Sequence, residues 1–322
     1  MKQTDILLKY FTVNMNRSLP ADLIADECGI DRERIPVCME ELRERGYEIL
    51  KNKDGYCFTD ANDRISEELI RLFVPDPGLP VYTFETIGST NDYAKELVRK
   101  GAPNGTIVIA DSQTAGKGRK GKSFYSPAKT GLYLSMIVRP AGNPIDVTPA
   151  QLFRITPASL IAAYEACALL SGIHCRFKRM NDMYIKDRKC AGFLSETVSL
   201  NRYCDVVVEG IGINWRTMGF PDELKNIACS FSCDTVCRAA LAGVLWKKLL
   251  ENTADLTRPW VVELNREHSP VLGKEIFYFR NGVRYTGIAK TINEHGDLVI
   301  EKPDGTADVL QSGEISVRFQ EI

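Results

Sequence analysis

The 322-residue sequence predicts an α+β protein built on a mixed or mainly antiparallel central sheet. Between about residues 81 and 270, consecutive strands are joined by short turns while helices stand apart from them. The first 70 residues run helix, helix, turn, helix, hairpin, the order of a winged helix-turn-helix. From 271 to 322 the chain is strand-rich, with regularly spaced turns that suggest a small barrel. A composition of 44% hydrophobic and 26% charged residues suits a globular protein, and a net charge of -1 selects no class of partner. Neither an apolar run of the roughly 20 residues a membrane span needs nor a signal-peptide pattern in "MKQTDILLKYF" is found, so a cytoplasmic protein is expected.

In residues 1–70, "DILLKYFTVN" has helical apolar spacing, and "LPADLIADECGI" is a second helix stopped by Gly29. "DRERIPVCMEELRERGYEI" is the third, with Asp31 as its expected N-cap and Pro36 one turn in, where a kink is expected. "ILKNKDGYCFTD" then forms a hairpin around Lys53-Asp54-Gly55. If the third helix meets DNA, Arg32, Arg34, Lys51 and Lys53 are the candidate contacts. Charge opposes that reading. The segment holds ten Lys and Arg against fifteen Asp and Glu, a net charge of -5, whereas phosphate neutralisation supplies most non-specific DNA affinity.

"RLFVPDPGLP", residues 71–80, reads as a linker. The domain from 81 to 270 opens with strand "VYTFETIG" and helix "STNDYAKELVRKG", for which Ser89 or Thr90 is the cap. Strand "GTIVIADSQ" leads into a loop, and "GLYLSMIVRP" leaves it. A long helix despite Pro157, a strand–hairpin–strand unit over 174–200, the buried strand "CDVVVEGIGINW" and a helix from "DTVCRAAL" onward follow. In the last segment, turns are expected at Asn281-Gly282, His295-Gly296 and Asp304-Gly305.

No CxxC pair occurs among the ten cysteines, and the three histidines (174, 268, 295) are far apart, so no zinc or other metal site is expected. Most thiols are expected as small buried hydrophobes. Cys229, Cys233 and Cys237 have a four-residue spacing that would align them on a helix.

The loop "TAGKGRKGKSF", 114–124, holds three glycines and four cations, which suits an anion. Its letters satisfy G-x4-G-K-S from Gly116 to Ser123. A P-loop, however, starts a helix at its Lys-Ser pair, and here Pro127 and a strand follow. A solvated cationic tip is the plainer alternative for the loop by itself.

Other motifs accompany it in order: "STN" at 89–91, "QTAGKGRKG" at 113–121, "ND" at 181–182, "RKCAGFLSE" at 188–196 and "GIGIN" at 210–214. Together they resemble the biotin protein ligases, specifically the bifunctional ligase–repressor type, over nearly the whole chain. The resemblance implies a winged helix-turn-helix over 1–70, a linker at 71–80, a biotin/lipoate ligase-like catalytic domain over 81–270 and an SH3-like barrel over 271–322. "GEISVR" fits the family's last strand.

What the resemblance implies chemically is activation of biotin with ATP and Mg2+ to biotinyl-5′-AMP, then transfer to a lysine of a carboxylase's biotin carrier domain. Cations and backbone N–H groups offset the repulsion between a carboxylate and a triphosphate. Loop 116–122 would be mobile when empty and close over the adenylate. Lys189 matches the active-site lysine bridging the biotin carboxylate and the α-phosphate, and Arg119 and Asp182 join it as catalytic candidates. Asp182 would either orient the carrier lysine or bind Mg2+. Ser89, Thr90, Asn91, Gln113, Gly116, Lys117, Gly118, Gly192, Gly210 and Gly212 fall at biotin positions, with Gly192, Gly210 and Gly212 leaving room for ligand. Arg119, Lys120, Lys122, Phe124, Asn181 and Asn214 fall at nucleotide positions. A ligand-dependent homodimer through the central sheet and binding to operator DNA are further implications.

Two departures stand out. Lys178-Arg179-Met180-Asn181-Asp182 replaces the usual Lys-Trp-Pro-Asn-Asp, and Lys117 replaces an arginine able to bind bidentately. The alternatives are a lipoate or octanoate ligase-type acyltransferase on the same fold, or a DNA-binding biotin sensor with weak catalysis.

Overall fold

The computed structural model describes residues 2–74, 76, 78–139, 149–177, 181–201, 204–256, 260–267, 269, 271–280, 283–294, 297–310 and 318–319. Arg179 and Met180 lie outside these, as do the turns at 281–282 and 295–296 and all of "GEISVR" except Arg318.

The first elements are α1 (Gln3–Thr12), β1 (Ser18–Leu19), α2 (Ala21–Cys28), α3 (Ile35–Glu44), β2 (Ile49–Asn52) and β3 (Gly55–Phe58), in the expected order. The strands form an antiparallel sheet ordered β1-β3-β2. Leu7, Leu8 and Phe11 of α1 pack with Cys38, Met39 and Leu42 of α3 and with Phe58, because apolar residues three and four apart share a helix face. Asp31 makes no side-chain cap; it precedes a single 3-10 turn, Arg32–Arg34. Since α3 begins at Ile35, Pro36 sits in its first turn. There a missing N–H breaks no helical bond, and no kink results.

A short helix, α4 (Glu67–Arg71), capped by Ser66, precedes the proline-rich segment. That segment is tied down by Arg71, whose guanidinium donates to the Leu79 carbonyl at 2.9 Å. The N-terminal elements are also bonded to the rest of the chain. Met15 N–H donates to Thr235 O at 2.7 Å and Cys237 N–H to Thr12 O at 2.8 Å. A single apolar core runs from Leu7 through Ile70 to Trp246.

The central elements are β4 (Val81–Ile87), α5 (Thr90–Arg99), β5 (Ile107–Gln113), β6 (Leu132–Val138), α6 (Pro149–Ser171), β7 (Arg176–Phe177), β8 (Asp182–Ile185), β9 (Arg188–Asn201), β10 (Cys204–Ile213), α7 (Arg238–Thr253) and α8 (Trp260–Glu267). Seven strands form one mixed sheet, β4-β5-β6-β10-β9-β8-β7, in which only β4 and β5 pair parallel. Successive strand residues face opposite sides. Val207 and Ile211 therefore join the core with α6 and α7, while Val208 meets Ala94, Leu97 and Val98 of α5.

Cys229, Cys233 and Cys237 do not share a helix; α7 starts only at Arg238. The backbone of 229–237 is engaged elsewhere: Cys229 N–H donates to Lys189 O, Phe231 N–H to Asn214 O and Cys233 N–H to Trp215 O. These N–H groups are thereby taken by distant carbonyls rather than by those four residues earlier, as a helix would need. Helix α8, with 8 residues, offers too short a period to be read from the sequence.

The last elements are β11 (Glu275–Arg280), β12 (Val283–Ile292), β13 (Leu298–Glu301), β14 (Ala307–Leu310) and β15 (Arg318–Phe319). They form an antiparallel sheet, β14-β13-β12-β11-β15, over Ile276, Tyr278, Ala289 and Ile300. Among the described residues this sheet is open at β14 and β15 and is not the closed barrel expected. No helix among the described residues is long and apolar enough to cross a membrane.

Candidate active site

At the start of α5, Ser89 has extended dihedrals, yet no side chain of its own caps the helix. Gln113 at the end of β5 does so instead: its Oε1 accepts from Thr90 N–H at 2.9 Å and from Thr90 Oγ1 at 3.1 Å. Gln113 Nε2 donates to Ser126 at 3.0 Å. Buried Asn91 donates to Glu196 Oε2 at 2.8 Å and to Leu194 O at 3.3 Å, and Ser135 Oγ lies 2.6 Å from its Oδ1. The helix start, β5, β6 and β9 are thereby locked together by side-chain amides.

The cationic loop folds as a miniature hairpin. Phe124 N–H donates to Gly116 O at 2.9 Å and Gly118 N–H to Lys122 O at 2.7 Å, with Lys117 and Ser123 paired. Lys120 at φ 57 and Gly121 at φ 72 make the tip. Lys122 is extended and no helix starts there, which excludes the P-loop. A Cβ on Gly116 would stand 2.6 Å from Phe124 O, so glycine is required for the crossing. Lys117 Nζ bonds Asp92 at 2.7 Å, and Asp92 also holds Lys95 at 2.9 Å. Although partial burial opposes it, the bonds from Lys117 and Lys95 keep the Asp92 carboxyl below its ordinary range.

Across from the loop, Lys189 on β9 pairs with Asp182 on β8 at 2.5 Å and lies 6.0 Å above the Phe124 ring. Arg119 donates to Asn181 Oδ1 at 2.7 Å. Asn214 is buried. Its Nδ2 donates to Cys229 O at 3.0 Å, while its Oδ1 has no partner among the described residues. The space beside Gly192, Gly210 and Gly212, expected as room for ligand, is taken by site side chains. Added Cβ atoms would lie 2.7 Å from Lys189 Nζ, 2.8 Å from Asn91 Cγ and 2.5 Å from Phe124, respectively.

These groups line one cavity of about 510 Å³, within the range of small-molecule sites. Every catalytic, biotin and nucleotide candidate lines it except Gly116, which is buried beneath the loop. Its lining carries Lys117, Arg119, Lys120, Lys122 and Lys189 against the single carboxylate of Asp182. Such an imbalance concentrates anions. The DNA candidates lie away from it: Arg32 pairs with Asp22 at 2.6 Å, Arg34 is exposed, Lys51 lies over Tyr56 and Lys53 sits in the β2–β3 turn. Exposed positions of α3 are Pro36, Val37, Glu40, Glu41 and Glu44.

Sequence reasoning missed part of the wall. Tyr125 and Phe220, with ring centroids 6.2 Å apart, line the pocket together with Leu224, Ile227 and Ala228. Segment 220–228 has neither period nor motif, and only its return to Lys189 brings it in. There Lys189 N–H donates to Ile227 O at 2.9 Å. Glu196, which fixes Asn91, stands inside the motif "RKCAGFLSE" and is legible as a neighbour of the site.

Known proteins resemble this chain in sequence and in fold. The model of the biotin/lipoate A/B protein ligase family matches residues 83–214. The bifunctional ligase/repressor BirA of Bacillus spizizenii is 34% identical over 249 residues, covering 76% of this chain and 75% of that protein. The protein of the same name from Escherichia coli K12 is 28% identical over 338 residues, covering all of both. Among solved structures, the biotin protein ligase from Aquifex aeolicus in complex with biotin and ATP superposes with a TM-score of 0.62 at 26% identity, covering 75% of this chain and 99% of that one. A relative at this identity and coverage, with the family model matching the central domain, places the chain in the biotin/lipoate A/B protein ligase family.

Proposed function

We propose that this chain activates biotin with ATP to biotinyl-5′-AMP and transfers biotin to a lysine of a carboxylase's biotin carrier domain. The observation that carries the reading is the cavity wall, where five cations and one carboxylate surround a space of ligand size. In the first step a biotin carboxylate oxygen attacks the α-phosphorus and pyrophosphate leaves. Lys189 and Arg119 neutralise charge at the reacting groups, and Lys120 and Lys122 hold the leaving phosphates. Ser89, Thr90, Asn91, Gln113, Lys117, Gly118 and the strand glycines bound the biotin end, with Gly116 shaping the loop from below. Phe124, Asn181 and Asn214 face the nucleotide. In the second step the carrier amine attacks the acyl carbon, loses a proton and expels AMP. Asp182 faces that amine.

Mg2+ fits this wall in one manner. Asp182 is the only lining carboxylate and no group of three or more metal-ligating side chains occurs among the described residues, so phosphate oxygens would supply most ligands. The ion then offsets phosphate charge.

Residues 1–70 fit a winged helix-turn-helix, 71–80 a linker, 81–270 the catalytic domain and 271–322 a small C-terminal domain built on an antiparallel sheet. Relatives named bifunctional ligase/repressor favour a second role in operator binding, through Arg32, Arg34, Lys51 and Lys53 and a ligand-dependent dimer built on the central sheet. The acidic exposed positions of α3 oppose tight DNA binding. Both roles belong to the cytoplasm. Incubation with labelled biotin, ATP and a biotin carrier domain tests the first role; transfer of lipoate but not biotin would overturn it. A gel shift on a biotin-operon promoter with and without biotin and ATP tests the second, and no shift at low salt would discard it.

A further inference from the structure

Four charged groups form a cluster outside the pocket lining, with Asp63 and Arg238 buried and Asp111 and Arg216 partly so. Asp63, just after the β2–β3 hairpin of the N-terminal segment, accepts from Arg238 N–H at 2.7 Å and from Arg238 Nε at 2.8 Å. Its backbone carbonyl accepts from Arg238 Nη2 at 2.9 Å. Arg238 is 1% exposed. Its Nη1 reaches Asp111 on β5 and, at 3.3 Å, the Gly131 carbonyl. Arg216 also pairs with Asp63, and its Nε has no partner among the described residues. Two guanidiniums and two carboxylates thus balance one another in the order Arg216–Asp63–Arg238–Asp111.

The end members sit beside the ligase site in sequence. Asp111 is two residues before Gln113, and Arg216 two residues after Asn214. Both also hold the turn that follows the cationic loop. The Asp111 carboxylate accepts from Lys129 N–H at 3.2 Å, and Arg216 N–H donates to Thr130 O at 2.7 Å. Lys129 has φ 62, a conformation that costs energy outside glycine and persists only where neighbours enforce it. The turn leads back through Pro127 to Phe124.

We propose that Asp63 is a positioning residue for the ligase pocket, acting from the N-terminal segment through Arg238 and Arg216 on Gln113, Asn214 and the anchor of the cationic loop. The inference rests on the ligase reading for its kinetic consequence, but not for its structural one. Without the Asp63 charge, buried Arg238 keeps its ion pair with Asp111, while Arg216 loses its ion-pair partner beside it. Arg216 then repels Arg238, whose hold on Asp111 loosens.

The test uses the full chain with Asp63→Asn and Arg216→Gln, and Leu8→Ala as a control that weakens the same N-terminal core away from the cluster. KM for biotin and for ATP, kcat, the melting temperature, and hydrogen exchange over 111–131 without ligand are measured. Both cluster variants should raise at least one KM by roughly 3- to 30-fold, the span of couplings carried through such contacts, with a smaller change in kcat. They should also speed exchange over 111–131. Leu8→Ala should lower the melting temperature with both KM values unchanged. Asp63→Glu should recover part of the KM. Unchanged KM values in a folded Asp63→Asn, or an equal KM shift in Leu8→Ala, would overturn the proposal. Should the wild-type chain make no adenylate, the ligase reading falls. The exchange comparison then decides the positioning role alone, unchanged protection over 111–131 refuting it. If Asp63→Asn fails to fold, Arg216→Gln, at a partly exposed side chain, decides the proposal by the same criteria.

Discussion

Replacing Gly210 by alanine should disrupt the pocket through Asn91. The added methyl would stand 2.8 Å from Asn91 Cγ and 2.9 Å from its Nδ2. Strand β10 cannot retreat, because Gly210 is paired with Ser135 on one side and Leu194 on the other. Asn91 must therefore swing away, giving up its bonds to Glu196 and Leu194 and its contact with Ser135. Overpacking of this kind costs about 1–3 kcal/mol. Each lost hydrogen bond adds about 1 kcal/mol. With three bonds lost, a total of about 5 kcal/mol corresponds to roughly 10 °C or more in melting temperature for a chain of this size. Thermal unfolding followed by circular dichroism measures the loss, and adenylate formation against biotin concentration measures a raised KM. Asn91→Ala in the same chain removes the obstructing amide, so Gly210→Ala should cost far less in that background, a coupling a double-mutant cycle reads directly. Additive losses, or a Gly210→Ala protein that melts and binds biotin as the wild type does, would refute the steric argument.

Lys189→Met removes the pocket cation paired with Asp182 and should slow adenylate formation by about 10²- to 10³-fold, as loss of one preorganised charge-stabilising group does. Because Lys189 is partly exposed, the melting temperature should change little; single-turnover kinetics and a melt separate the two effects. Burial pushes the Glu209 carboxyl up to about 8, against a bond from Ser195 that lowers it. Its native form therefore holds a proton that the unfolded chain releases nearer its ordinary range. The stabilisation is complete below that range and lost as pH rises toward about 8. Melting temperature should fall across that window in the wild type and fall less in Glu209→Gln; equal slopes would dismiss the buried acid. Gln113→Ala should destabilise by about 1 kcal/mol as the loss of a helix cap, whereas Ser89→Ala should leave the melt unchanged, since Ser89 caps nothing. A reversed order by denaturant titration would show that the capping bond is not the one that matters.

Local chemistry is enough for the order of elements. Helical apolar spacing marks α1 to α3, alternation and turn residues mark most strands, and the ordered motifs draw about two thirds of the pocket residues from five separate segments. Those features depend on neighbours in sequence, through periods of 3.6 and 2 and through turns of few residues. Pro36 and the three cysteines show where such reasoning ends. Pro36 reads as one turn inside a helix that in fact begins only at Ile35, and the spacing of Cys229, Cys233 and Cys237 suggests a helix that their backbone bonds to Lys189, Trp215 and Thr12 forbid. Segment 220–228 joins the pocket for the same reason, by bonding to a strand more than thirty residues earlier. Which glycine faces which side chain, and that Gln113 rather than Ser89 caps α5, follow from strand register across the sheet. Asp63 meets Arg238 and Arg216 only because two parts of the chain share one core. The sequence by itself determined the types and order of the groups available to hold an anion. Which of them converge was decided by tertiary packing, since buried donors and charges take whatever partner the closed core brings within reach.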